Sequence, residues 1–149
     1  MPTPSLPLDA SLEDPVTKKV TRVWATLFEF WYRAIKMSGI GYPIGAGGTV
    51  TQATSKSTGV TLHKATGQIT MHGAALGADT TVSFTLTNLC VQVADLLVLN
   101  HVAGGTAGAY VLNAQAGAGS AVIVVRNVSA GSLSEAITIG YAILKGQTT

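Results

Sequence analysis

Three acids and three histidines are the residues that could do chemistry in the second part of the chain. Paired carboxylates can cleave a glycosidic bond, but each acid lies beside a turn or at the end of a predicted strand, where it caps the backbone or faces water. The histidines have no metal-type spacing and no cysteine partner. The sequence therefore predicts no catalytic residue, no metal site and no cofactor, and we interpret the chain as a non-enzyme. The six residues are Asp79, Asp95, Glu135, His63, His72 and His101.

The sequence also gives little indication of a reactive thiol, a phosphate loop, an aromatic stacking platform or a nucleic-acid-binding surface. The single cysteine, Cys90, lies in the apolar stretch LTNLCVQV and is interpreted as a buried, inert thiol. The stretch GIGYPIGAGG lacks the Lys-Ser/Thr ending of a phosphate loop. Few aromatic residues follow Tyr42, so a platform that stacks sugars or bases is not expected. The net charge of +2 is too small to indicate nucleic-acid binding.

Charge is scarce and unevenly distributed. Charged residues make up 11% of the chain, against about 25% in ordinary soluble domains, and most of the charges lie in residues 1–36. A surface this poor in charge favours burial against other subunits. We divide the chain into an N-terminal arm with an anchoring helix (1–36), a Gly-rich tether (37–48) and a β-sandwich knob (49–149). No signal peptide and no membrane span are expected.

The first part has a helical period. Three prolines in residues 1–12 predict an extended arm, and Asp14 followed by Pro15 predicts the start of a helix that runs to Lys36. Apolar residues recur there in steps of four and three, which is the spacing of a coiled-coil seam. We predict that the helix anchors the protein to its own copies or to another protein; packing of the strands onto the helix is the alternative. The anchoring residues are Val20, Trp24, Leu27, Phe28, Trp31 and Ile35.

Beyond Gly48 the period changes to two. In TTVSFTLTN, Val82, Phe84 and Leu86 alternate with hydroxyl residues, as in a strand with one buried face. The apolar runs DLLVLNHV and SAVIVVRNV predict strands covered on both faces. Turn segments separate eight predicted strands: Thr49–Ala53, Gly59–His63, Gln68–Met71, Thr80–Asn88, Asp95–His101, Ala109–Ala114, Ser120–Val128 and Ala136–Lys145.

These patterns predict a mainly β fold. The hydroxyl-rich stretch GGTVTQATSKSTGVTLHK, residues 47–64, holds the first two strands, because Thr favours β structure and KSTG supplies the turn. Eight short strands at regular intervals favour a jelly-roll-like antiparallel sandwich. An extended arm and one N-terminal helix precede this sandwich.

The motifs of the β-part carry a resemblance to a known group of proteins. The stretches GGTVTQATSKSTGVTL, GQITM, SFTLTN and NHVAGGTAGAYVLNAQAGAGSAVIVVRNVSAGSLSEAITIGYAILK resemble a β-domain that recurs in structural proteins of tailed bacteriophages. His63 and Thr66 stand where relatives often carry Asn and Cys, and we interpret both as surface substitutions. The segment VTRVWATLFEFWYRA is similar to the short aromatic helix that often precedes phage fibre domains. The resemblance implies a virion component, either a trimeric fibre or a decoration protein.

The expected function is therefore structural. The hypothesis is a homotrimeric capsid-associated fibre or decoration protein, assembled in the host cytoplasm, that binds the capsid or other virion proteins through its N-terminal segment and exposes a β-knob. The alternative is a tail-fibre or receptor-binding tip that recognises a host surface glycan through the polar turns TSKSTG, GGTAGA and SAGSLS. Depolymerisation of a polysaccharide by Asp95 or Glu135 is not expected.

Overall fold

The computed structural model describes residues 11–12, 14–17, 19–38 and 41–147, and it describes the side chains of the helix as far as Tyr32. Residues 1–10 of the predicted arm and residues 39–40 of the predicted tether lie outside the described residues. The contacts divide the chain into two compact units, Met1–Gly41 and Tyr42–Thr149. The Tyr42 hydroxyl donates to the carbonyl of Ile143, so the last part of the predicted tether is bonded to the second unit.

The described part of the first unit contains one α-helix, α1, at Arg22–Ser38. The amide of Ala25 donates to the carbonyl of Thr21 at 3.0 Å, which places Thr21 immediately before the helix. The predicted helix start at Asp14 and Pro15 is therefore wrong.

A closed turn occupies the place of the predicted first helical residues. Asp14 Oδ1 accepts hydrogen bonds from the N–H groups of Val16 and Thr17 at 2.8 and 2.7 Å, and these bonds hold the pKa of Asp14 below its usual value. The amide of Asp14 also donates to the carbonyl of Lys19 at 2.8 Å. A donor that bonds forward to residue 19 cannot belong to a helix, in which each amide bonds four residues back. Asp14 is thus a cap, but it caps a turn.

Eight strands form the second unit, which we call the β-unit. Each overlaps one of the predicted strands, so the mainly β prediction is confirmed. The strands are β1 Thr49–Thr51, β2 Val60–Thr61, β3 Thr66–Thr70, β4 Thr81–Thr87, β5 Leu96–Ala103, β6 Tyr110–Gly117, β7 Ser120–Asn127 and β8 Thr138–Leu144.

The strands form two four-stranded sheets. Sheet I has the order β1-β3-β8-β5 and sheet II the order β2-β4-β7-β6. The β1–β3 and β2–β4 pairs are parallel and the other pairs are antiparallel, so the two sheets are mixed where the prediction described the sandwich as antiparallel. The reason is that β1 and β3 belong to sheet I, whereas β2 and β4 belong to sheet II. The chain crosses to the other sheet and back between paired strands, so β3 runs in the direction of β1 and β4 in the direction of β2. The finer jelly-roll description stays a prediction.

One apolar core lies between the two sheets. Ile69, Ile139 and Ile143 of sheet I and Phe84 and Leu86 of sheet II are almost completely buried. Buried residues lie at every second position in the later part of β4 and along β8, so the alternation in TTVSFTLTN correctly indicated the buried face of β4. Burial of each such side chain contributes roughly 1.5–3 kcal/mol.

In a single copy of the chain, β5 and β7 are not covered on both faces as predicted. Leu96, Val98 and Val102 of β5 are 66%, 53% and 45% exposed, and Val122 of β7 is 41% exposed. In a two-layer sandwich each sheet buries only its inner face. Every second residue of a continuous apolar run therefore faces outward. The outer faces are therefore more apolar than is usual for a solvated sheet.

The β-unit has two different ends. The chain enters the β-unit beside Gly48, whose carbonyl accepts a hydrogen bond from the Gln68 amide. The last strand, β8, ends on the same side, which we call the entry end. The opposite side, which we call the loop end, consists of residues 52–59, 72–80, 104–109 and 128–137. The register aligns the loop-end termini of all the strands of sheet I, since Thr51 pairs with Thr70 and Thr70 with Thr138.

Candidate functional site

Glu135 joins two loops of the loop end. Its Oε2 accepts hydrogen bonds from the amide of Thr106 at 2.9 Å and from the hydroxyl of Tyr110 at 2.8 Å. Its Oε1 accepts a hydrogen bond from Thr106 Oγ1 at 2.6 Å. These donors, the Thr106 hydroxyl first, hold the pKa of Glu135 below its usual value, while burial and the neighbouring carboxylate raise the pKa of Tyr110. The ionised carboxylate therefore fixes the GGTAGA loop against the β7–β8 loop.

Lys56 adds the β1–β2 loop to the same cluster. The side chain is only 4% exposed, and its Nζ donates to the carbonyls of His72 and Glu135 at 2.7 and 2.5 Å. Burial lowers the pKa of Lys56, and the nearby charge of Glu135 opposes that shift. Gln52 completes the link, because its Nε2 donates to the carbonyl of Lys56 at 3.0 Å and its Oε1 accepts the His72 amide at 3.0 Å.

The close approach of these loops requires glycine at position 105. Gly105 has a φ of +62°, a conformation that residues with a side chain rarely adopt. A Cβ there would lie 2.7 Å from Glu135 Oε2 and 2.6 Å from Ile137 Cγ2. The carboxylate can therefore reach Thr106 only because the preceding residue has no side chain.

A buried amide holds the remaining part of the loop end. Asn127 is completely buried, and its Nδ2 donates to the carbonyls of Leu76, Gly77 and Gly131 at 2.8–3.0 Å. Its Oδ1 accepts the amide and the hydroxyl of Ser129 at 2.9 and 2.7 Å. The SAGSLS turn is thus fixed to the β3–β4 loop, and the polar turns named in the sequence meet at one end of the β-unit.

An open cleft of about 370 Å³ lies beside this cluster, between the edges of β5 and β6. The rings of His101 and Tyr110 are nearly perpendicular, with 5.7 Å between their centroids. His101 Nε2 lies 2.6 Å from the carbonyl of Gly104, which ties the ring to the GGTAGA loop. The cleft presents backbone groups and small side chains of the loop next to one aromatic wall. It is lined by Leu99, Asn100, His101, Ala107, Gly108, Tyr110 and Leu112.

The three carboxylates considered for catalysis are held by different partners. Asp79 forms an exposed ion pair with Arg126 at 2.6 Å. Asp95 lies at the entry end, where Lys145 donates to its Oδ2 at 2.7 Å and holds its pKa below the usual value. Glu135 accepts hydrogen bonds from Thr106 and Tyr110, so these three acids have no hydrogen-bond partner in common.

The histidines also make separate local contacts. Nδ1 of His63 accepts the amide of Leu89 at 3.2 Å, and Nδ1 of His72 accepts the amide of Ala74 at 3.0 Å. Over the described residues, no group of three or more His, Cys, Asp or Glu is arranged to hold a metal ion. Cys90 is half-buried, and its amide donates to Asn88 Oδ1 at 3.0 Å.

The predicted anchoring residues have unequal environments. Val20 precedes the helix and is 51% exposed, Phe28 and Trp31 are 50% and 56% exposed, and Leu27 is buried. Trp24 is half-buried and its ring lies 6.0 Å from that of Phe28. Ile35 belongs to α1, but its side chain lies outside the described residues.

The predicted seam is therefore not uniform. Trp24, Phe28 and Trp31 lie within about 60° of one another around a helix of 3.6 residues per turn, and Phe28 and Trp31 are about half exposed whereas Leu27 is buried. No helix in the described ranges is long and apolar enough to cross a membrane.

The sequence interpretation named the turns of the loop end but missed the residues that join them. Lys56, Gln52 and Asn127 are polar residues that the fold buries, and Thr106 bonds to a residue 29 positions away. One signal was present: Lys56 is a charged residue inside a run of small hydroxyl side chains.

Comparisons with known proteins return no match. No protein-family model, curated protein or solved structure matches the chain. These comparisons leave the resemblance to structural proteins of tailed bacteriophages as an expectation from the sequence motifs.

The Glu135 contacts predict a pH-dependent contribution to stability. Because the pKa of Glu135 is lowered in the folded state, its carboxylate stabilises the protein above its usual pKa of 4.5, and this contribution is lost as the pH falls through the lowered pKa. Glu135→Gln should lower the melting temperature at neutral pH and reduce the further loss on acidification. Thermal melts followed by circular dichroism across this pH range measure both effects.

Asp79→Asn is the matched control, since the Asp79–Arg126 pair is exposed on both sides and exposed pairs contribute little. Equal acid sensitivity of Glu135→Gln and the unmodified protein would contradict the assignment of the stabilising charge to Glu135.

Proposed function

We propose that the chain is a structural component of a bacteriophage virion. It forms a homotrimeric capsid-associated fibre or decoration protein, with the N-terminal arm and helix attaching it to the particle and the β-unit exposed as a knob. The observation that carries the proposal is the charge-poor, partly apolar outer surface of the β-unit, on which Leu96 and Val98 are more than half exposed. Such a surface suits a protein that functions while packed against other subunits. The phage-like motifs favour a virion as the assembly.

The aromatic surface of α1 supports attachment through the N-terminal segment. Phe28, Trp31 and Tyr32 are at least half exposed, and Val23 adds an aliphatic side chain. Aromatic residues are enriched in the centres of protein interfaces because they bury a large area with few rotatable bonds. Burying the exposed halves of several such residues in a partner would contribute favourable free energy to attachment.

Replacing the exposed aromatic residues should release the protein from particles without unfolding the β-unit. We expect Phe28→Ser with Trp31→Ser to lower the amount of full-length protein on purified particles of the phage that encodes it by at least roughly tenfold. Quantitative immunoblotting and immunogold imaging of particles measure this amount. Glu29→Ser, a polar substitution between the two sites, is the control. Absence of the unmodified protein from particles would contradict the virion proposal, and full retention of the double variant would contradict attachment through α1.

A second candidate function is recognition of a host surface glycan by the loop end. The specific observation in its favour is that Glu135, Lys56 and Asn127 bring the polar turns TSKSTG, GGTAGA and SAGSLS together, beside an open cleft and opposite the entry end. Rigid loops at one end of a sandwich are a common place for recognition. Backbone and hydroxyl groups of these turns would bond to sugar hydroxyls, with Tyr110 and His101 as the apolar wall.

This candidate predicts selective binding of the full-length protein on an array of bacterial surface glycans. Ala107→Arg, which places a long side chain in the cleft, should abolish that binding, whereas Ala118→Arg at the entry end should leave it unchanged. Uniform background across the array, or equal binding by both variants, would exclude the loop end as a glycan site.

A further inference from the structure

The tip of the GGTAGA loop is attached to the β-unit through one carboxylate. Residues 105–108 are exposed. Among the described residues, the hydrogen bonds that join this tip to residues outside the loop are those of Thr106, whose amide and hydroxyl both donate to Glu135. His101 contacts only the start of the loop, at the carbonyl of Gly104. The position of the tip therefore depends on the Glu135 carboxylate.

The backbone of the same loop favours opening. Three of the six residues in GGTAGA are glycines at positive φ: Gly104 at +71°, Gly105 at +62° and Gly108 at +78°. Glycine adopts these angles without steric strain, but it loses more conformational entropy on ordering than any other residue. The loop regains this entropy when its bonds to Glu135 are broken, so the closed conformation requires those bonds.

The SAGSLS turn, at the same end of the β-unit, is held by groups that do not titrate. The buried amide of Asn127 bonds to the Gly131 carbonyl and the Ser129 amide. Leu76 and Leu133 exchange two backbone hydrogen bonds of 2.9 and 3.0 Å. None of these groups changes its charge with pH. Of these two loops, only GGTAGA is therefore held by an ionised side chain.

The other titratable groups around Glu135 keep their hydrogen bonds in acid. Tyr110 of β6 donates to Glu135 Oε2, and Lys56 of the β1–β2 loop donates to the Glu135 carbonyl; acid leaves both donors protonated. His101 of β5 lies beside Tyr110, and its Nε2 contacts only carbonyl oxygens. This nitrogen therefore carries the hydrogen, and protonation of Nδ1 leaves its bond in place. The ring of His72 bonds within its own loop.

We infer that Glu135 acts as a pH switch: protonation of its carboxylate releases the GGTAGA loop and opens one wall of the cleft, while the SAGSLS turn stays in place. A neutral carboxyl group accepts weaker hydrogen bonds than a carboxylate, and Ala107 and Gly108 of the released loop line the cleft. Because the bonds from Thr106 lower the pKa of Glu135 in the folded protein, the loop is held above the usual pKa of 4.5 and is released as the pH falls through the lowered pKa. The release follows from the contacts of Glu135, and its effect on glycan binding rests on the second candidate function.

Hydrogen–deuterium exchange of the full-length protein, resolved to single amides, measures the opening of each loop. Protection is the exchange rate of the free amide at the same pH divided by the measured rate. From neutral pH to a pH that protonates Glu135, protection of the Thr106 amide should fall at least roughly threefold relative to that of Leu133. Glu135→Gln should show the low protection already at neutral pH and no further fall in acid. Asp79→Asn, which alters an exposed ion pair, should behave like the unmodified protein.

A pair of substitutions at the exposed Thr106 tests the same contact without removing a charge. Thr106→Val removes the hydroxyl that donates to Glu135 Oε1 and should lower protection of the loop at neutral pH at least roughly threefold, whereas Thr106→Ser keeps the hydroxyl and should behave like the unmodified protein. Equal loss of protection at Thr106 and Leu133 in acid would overturn the switch, as would a full acid response in Glu135→Gln. A protein that binds no glycan at neutral pH would contradict the second candidate function and leave the switch standing.

Discussion

A two-layer sandwich can bury only one face of each sheet. The composition of the outer faces therefore determines whether the protein is suited to exist as a single copy or in an assembly. The inner faces supply a core of aliphatic residues such as Ile69, Ile123 and Ile139, all fully buried. The outer faces continue the same apolar character along β5 and β7 and carry almost no charge. A soluble monomer usually relies on charged outer faces. The need to cover these faces connects the scarcity of charge in the sequence with the proposed assembly.

The charges that the β-unit does possess serve internal contacts. Lys56 and Glu135 join loops at the loop end, and Asp95 and Lys145 join the last strand to the β4–β5 loop at the entry end. Hydrogen bonds to charged groups are stronger than neutral ones, so a few charges suffice to fix long loops. The result is a β-unit whose ends are held by polar contacts and whose sides carry few charges, which suits lateral packing of copies with their loop ends free.

Much of the fold could be predicted from the sequence because alternation is a local property. The apolar period of two in TTVSFTLTN identified Phe84 and Leu86 as inward-facing, and apolar runs, Thr-rich segments and turn residues indicated other strands. Alternation contains no information on which strands are neighbours, so the parallel β1–β3 and β2–β4 pairs could not be read from it. The helix start was predicted wrongly because Asp14 with Pro15 is equally suited to a turn.

The candidate site was only partly predictable for a related reason. The polar turns are visible as clusters of Gly, Ser and Thr, but their meeting depends on Glu135 reaching Thr106 across 29 positions. That contact requires Gly105 to lack a side chain, and no local pattern expresses such a requirement. Lys56 and Asn127 were missed because burial of a polar residue depends on partners supplied by distant loops.

The central claim is that the outer faces of the β-unit are covered by other copies of the chain. Hydroxyl-radical footprinting of the full-length protein, read out by mass spectrometry over a dilution series, measures the solvent exposure of individual side chains. The account predicts slow oxidation of Leu96 and Leu144 at micromolar concentration and faster oxidation on dilution, while Leu89 at the entry end, 73% exposed, reacts quickly throughout. Oxidation of Leu96 and Leu144 as fast as that of Leu89 at every concentration would contradict it.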